Sequence, residues 1–131
     1  MSGVLIVDQS PAAAATIRAA CEQAGLHVVG VAADGLAAIE MVRAMAPTIV
    51  TIDLVLPRLS GLQVLEAFAR LGLEPRVVVI SAVSAREPVV AARVAGARAY
   101  LLKPVIPTKL AAILDETYPS TSANAVARRC P

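Results

Sequence analysis

Tryptophan is absent from the 131 residues, histidine and phenylalanine occur once each, and tyrosine occurs twice. Lysine is almost as scarce, with Lys103 and Lys109 alone. A basic, aromatic-studded face of the kind that grips nucleic acid is therefore unsupported, and no direct nucleic-acid partner is expected. The two cysteines, Cys21 in a helical pattern and Cys130 near the C-terminus, make neither a disulfide framework nor a zinc site. A lone His27 cannot build a metal cluster. Hydrophobic residues make up 57% of the chain, yet every apolar stretch is broken by a charge, Gly or Pro before the roughly 20 residues that cross a bilayer. Met1-Ser2-Gly3 brings no basic region ahead of its apolar run, and that run ends at Asp8, so no secretory signal is read. Together these absences predict a cytoplasmic protein with no membrane partner.

What is present is a repeating pattern. Short β-branched runs alternate with amphipathic helical stretches. Strands are expected over residues 3–7, 26–32, 48–52, 76–80 and 97–102. Ser10-Pro11 marks a helix start, and Ile17, Cys21 and Ala24 form its stripe before a Gly25 cap. Asp34 caps a second helix carrying Ile39, Val42 and Met45 and closed by Pro47. A third helix follows Gly61, with Leu65, Phe68 and Ala69 inward, after a loop over residues 54–60. A fourth runs from about Glu87 to Ala95. Pro107 opens a fifth, with Leu110, Ile113 and Leu114 inward, and Pro119 ends it.

Five such repeats predict an α/β fold, a doubly wound parallel sheet with helices on both faces. The uniformly apolar strands fit burial on both sides. One domain over residues 1–118 is expected. Residues 119–131 are polar and expected to fray; they hold Arg128 and Arg129, which account for the formal charge of +2.

In open sheets of this kind ligands gather beyond the strand C-termini. Asp8 follows the first strand, Asp53 the third, Ser81 the fourth and Lys103 the fifth. Four chemically compatible groups at one relative position are hard to obtain by accident. A carboxylate can accept a phosphoryl group, and the transfer asks mainly for positioning and for neutralisation of charge by a metal and a cation. Asp53, at the tip of the expected central strand, is the phosphoacceptor candidate. Asp8 would hold Mg2+, which prefers oxygen ligands. Lys103 supplies a compact positive charge, and Ser81 a hydroxyl for the new phosphoryl group.

These residues stand in runs that resemble the receiver domains of two-component response regulators. The runs are V-L-I-V-D before the first helix, D-L-V-L-P-R-L-S-G from Asp53 to Gly61, V-V-V-I-S-A from Val77 to Ala82 and Y-L-L-K-P from Tyr100 to Pro104. The resemblance covers residues 3 to about 117. It implies strand order 2-1-3-4-5, a cis Lys103–Pro104 bond, and a sensor histidine kinase or phosphotransfer protein as donor. It assigns a switch to Ser81 and Tyr100, a metal contact to the backbone carbonyl of Val55, and the edge of the water path to Val55 and Val83. Two apolar residues there suggest slow loss of phosphate. The readout to a downstream protein, or to a second copy in a homodimer, is expected through the fourth helix, fifth strand and fifth helix, including Val89, Val90, Arg93, Val94, Tyr100 and Lys109.

One residue departs from that pattern. The family carries two adjacent acids after the first strand, and here they read Asp8-Gln9. Gln9 offers a carbonyl oxygen without charge, so weaker magnesium binding is expected. The rival it raises is a pseudo-receiver, an interaction module that works without phosphorylation; the retained Asp53, Ser81 and Lys103 argue against it. A flavin-binding protein would want more aromatics and a Ser/Thr/Gly-rich loop after Val7. An Asp-based phosphatase would want a second acid at position 55, where Val55 stands. With no output domain after residue 118, the chain either acts through partners or is part of a longer regulator. Beyond its own phosphorylation and dephosphorylation no enzyme activity is expected.

Overall fold

The computed structural model describes residues 3–117; the expected tail over 119–131, with Pro119 and Cys130, lies outside the described residues. Five strands alternate with five helices: β1 (Val4–Val7), α1 (Pro11–Gln23), β2 (Val28–Ala32), α2 (Gly35–Met45), β3 (Ile49–Ile52), α3 (Gly61–Arg70), β4 (Arg76–Ser81), α4 (Arg86–Val94), β5 (Ala97–Leu102) and α5 (Pro107–Thr117). All neighbouring strands pair in parallel, in the order β2-β1-β3-β4-β5. The expected fold and strand order are both found.

Burial follows position in the sheet. Every residue of β1 and β3 is buried, and β4 is buried from Val77 to Ser81, whereas β2 and β5 are only partly covered at the edges. Alternate side chains feed two cores, as a period of 2 requires. One, with Leu5, Val7, Val50, Ile52, Val77 and Val79, packs under α2, α3 and Ala92 of α4. The other, with Val4, Ile6, Ile49, Val78 and Ile80, packs under α1 and α5 through Ile17, Cys21, Leu110 and Leu114. Burial pushes the Cys21 thiol up to about 11, so it is a packing residue and not a reactive one.

The helix starts fall where the capping residues stand. Ser10 accepts from Ala13 N, and Asp34 from Ala37 N. Ser60, read from the sequence only as the end of a loop, makes a reciprocal capping box with Gln63 ahead of α3. Three packing expectations are corrected. Ala69 is exposed, because α3 buries Gly61, Val64, Leu65, Ala67 and Phe68, a face one residue out of phase with it. Met45 is 44% exposed at the end of α2, over the sheet edge beside Gly30. Ala24 is only half-buried and serves as the C-cap of α1, with Gly25 beyond it at φ 79°. Among the described residues no helix is long and apolar enough to cross a membrane.

Candidate functional site at the strand C-termini

Parallel register delivers the site. Asp8 N donates to Ala32 O, Asp53 N to Val7 O and Lys103 N to Ser81 O, so each strand hands its last residue to the same edge. There the chain must turn, and three polar side chains turn it alike. Asp8 Oδ1 accepts from Ser10 N at 2.9 Å, Asp53 Oδ1 from Val55 N at 3.0 Å, and Ser81 Oγ from Val83 N at 3.3 Å. Each bond closes a turn two residues long and fixes the rotamer of the side chain that makes it.

Asp8, Asp53, Ser81 and Lys103 do meet. Lys103 Nζ stands 2.7 Å from Asp53 Oδ2 and 2.8 Å from Asp8 Oδ2, bridging two carboxylates that are themselves buried. Ser81 Oγ, fully buried, donates to Asp53 Oδ1 at 2.8 Å. Burial on its own would lower the Lys103 pKa, but the bonds and charges of Asp53 and Asp8 outweigh it and the ammonium is held above its ordinary value. Two carboxylates against one ammonium leave the site with a net negative charge.

Gly61 brings the loop after β3 into place. Its N donates to Leu54 O at 2.8 Å, and a Cβ there would come within 2.4 Å of Asp53 O. Only glycine lets α3 start this close to the acceptor strand.

Mg2+ would need oxygen ligands at this edge. Both Asp53 oxygens already accept hydrogen bonds. Asp8 Oδ2 is buried and paired with the Lys103 ammonium at 2.8 Å. Two buried carboxylates that share a single ammonium fit a further hard cation. Among the described residues no group of three His, Cys, Asp or Glu side chains could hold a metal, and the residue after Asp8 is the uncharged Gln9. The Gln9 side chain reaches across the mouth, Nε2 donating to Val55 O at 3.4 Å.

Tyr100 lies on β5, half-buried, its hydroxyl donating to Val83 O. Burial is the main cause raising its pKa above the ordinary tyrosine value. The peptide groups of Val55 and Val83 carry these links. The resemblance implies a water-path edge for both residues and a metal contact for the Val55 carbonyl, but not these peptide hydrogen bonds, whose signal in the sequence is a polar residue directly after an apolar strand. Val55 is 54% exposed at the site mouth and Val83 is half-buried.

A parallel sheet that collects two acids, a hydroxyl and a lysine at its switch-point edge defines a receiver-type signalling domain. The model of the response regulator receiver domain matches residues 4–115, and the chain belongs to that family. It is 48% identical over 103 residues to protein-glutamate methylesterase/protein-glutamine glutaminase 5 of Myxococcus xanthus, covering 77% of this chain and 30% of that protein. The chain thus spans under a third of the methylesterase's length. Chemotaxis protein CheY of Thermotoga maritima is 28% identical over 113 residues, 86% of this chain and 94% of that one. Among solved structures, the CheX–CheY–BeF3–Mg2+ complex of Borrelia burgdorferi superposes with TM-score 0.84 at 25% identity, covering 91% of this chain and 90% of that one.

Proposed function

We propose that this domain takes a phosphoryl group from a phosphohistidine, on a sensor kinase or phosphotransfer protein, onto Asp53. The observation that carries the reading is the Lys103 ammonium 2.7 Å from the Asp53 carboxylate, with the Ser81 hydroxyl on its other oxygen. A carboxylate oxygen of Asp53 attacks phosphorus; the P–O bond forms as the P–N bond to the donor imidazole breaks, and the imidazole leaves with its electron pair and is protonated. Lys103 neutralises charge on the transferring oxygens, and Ser81 turns its hydroxyl from the carboxylate to the new phosphoryl group. Asp8, Asp53 and the Val55 carbonyl would hold Mg2+, which when bound supplies further neutralising charge, more weakly than three acids would. Replacing Gln9→Asp should tighten magnesium, because it adds an anionic oxygen.

The signal leaves through Ser81 and Tyr100 to the face formed by α4, β5 and α5. Val90 is 48% and Val94 81% exposed there, and a groove of about 430 Å³ runs between Tyr100, Ile106 and Lys109. A downstream protein, or a second copy, is the expected reader, in the cytoplasm where kinases of this kind act. The apolar side chains of Val55 and Val83 at the mouth favour slow loss of phosphate.

Incubation with a small phosphoryl donor and magnesium, followed by intact mass, tests the reading. One added phosphoryl group is expected. An unchanged mass would favour the pseudo-receiver, the second reading that Gln9 in the metal site supports.

A further inference from the structure

We infer that Gln9 competes with the divalent cation for the Val55 carbonyl oxygen instead of serving as a ligand. The inference rests on the reading of this edge as a magnesium-dependent phosphoryl acceptor.

Gln9 Nε2 lies 3.4 Å from Val55 O. Only the NH2 end of an amide can face a carbonyl oxygen, since its own oxygen would oppose a second acceptor. Partial positive charge therefore covers an oxygen that a cation would need. Around it the other oxygens are already engaged: Asp53 Oδ1 by Ser81 and Val55 N, Asp53 Oδ2 by Lys103. Asp8 Oδ2 is held only by its ion pair with Lys103, at 2.8 Å. An entering ion must share Asp8 Oδ2 with the Lys103 ammonium 2.8 Å away and must take Val55 O from Gln9, either displacing the side chain or turning its amide over. Gln9 thus weakens the site in two ways. It lacks the charge of an acid, and it satisfies the carbonyl when no ion is bound. The contact is long and Gln9 is exposed, which sets the second effect at the weak end of net hydrogen bonds.

The sign of one substitution separates competitor from ligand. Magnesium is titrated calorimetrically into the full chain, without any phosphoryl donor, for wild type, Gln9→Ala, Gln9→Met and Asp8→Asn. Removing a competitor should tighten binding about twofold in both Gln9 variants, the factor that a weak net hydrogen bond corresponds to. Met keeps the bulk of Gln and has neither amide group, so it excludes an effect of lost volume. Asp8→Asn should abolish binding. If both Gln9 variants bind magnesium equally or more weakly while Asp8→Asn still abolishes it, the inference fails and the metal-site reading stands. If Asp8→Asn leaves the isotherm unchanged, the ion binds elsewhere and both are overturned.

Discussion

The Tyr100 hydroxyl donates to the carbonyl of Val83, the residue whose own N–H reaches the Ser81 oxygen. Since Ser81 in turn donates to Asp53, the backbone of one residue, Val83, joins the buried carboxylate to an aromatic side chain on β5. If Ser81 swings to a phosphoryl group, the Val83 N–H loses its acceptor and the loop before α4 is free to rearrange, with Tyr100 following. α4 is suited to move: it has no side-chain N-cap bond and buries only Ala92. Tyr100→Phe should therefore leave phosphoryl acceptance intact, cost about 1 kcal/mol of stability, and blunt the phosphorylation-dependent amide shifts in α4 and β5 seen by NMR. Full-sized shifts in the variant would disconnect Tyr100 from the switch.

Lys103→Met would leave two buried carboxylates facing each other. A loss of about 2 kcal/mol in urea unfolding is expected, less than for a fully buried pair because the ammonium is partly exposed. The pH dependence follows from the raised Lys103 pKa. A raised value means that the folded state holds the proton more tightly, so the stabilisation is complete below the unfolded lysine value of about 10.4 and vanishes as pH climbs through the folded one. The gap between wild type and variant should stay flat from pH 8 to about 10 and close above it. Cys21, raised from 9.0 to about 11, also costs stability over that alkaline range, but it is present in both proteins and cancels in the difference.

Gly61→Ala opposes helix propensity to steric room. Propensity alone would favour alanine by about 1 kcal/mol. The added Cβ, 2.4 Å from Asp53 O and 2.7 Å from Leu54 Cα, meets backbone and cannot be relieved by a side-chain rotation. A net loss of about 2 kcal/mol is expected, together with slower phosphoryl uptake, since the strain falls on the acceptor itself. A stabilised, fully active variant would show that the loop is more compliant than its contacts indicate.

Thr51→Val should raise stability. The Thr51 hydroxyl is buried in β3 without a hydrogen-bond partner, and valine has nearly the same shape without the cost of an unpaired polar atom, a gain of about 1 kcal/mol. Its side chain points to the face opposite Val50 and Ile52, so uptake should not change. A fall in the urea midpoint would reveal a partner for the hydroxyl.

Much of this was legible from pattern. Apolar strands ending in Asp8, Asp53, Ser81 and Lys103 located the site, because parallel register carries strand ends to one edge. Two kinds of feature were not legible. Close approaches between elements distant in sequence, such as Gly61 on Asp53 O or Gln9 on Val55 O, leave no local signature. Helix faces in alanine-rich stretches are ambiguous by one residue, which is how Ala69 was placed inward while Val64 and Ala67 were overlooked.

The central claim concerns one atom, the carboxylate carbon of Asp53 and the group it carries. After incubation with a small phosphoryl donor and magnesium, borohydride reduces an acyl phosphate to the alcohol, turning the modified aspartate into homoserine that peptide mass spectrometry can locate. Homoserine at position 53, absent when magnesium is withheld and absent in Lys103→Met under the same brief exposure, is the expected result. Homoserine at another acid, or none anywhere in the wild-type chain, would contradict it.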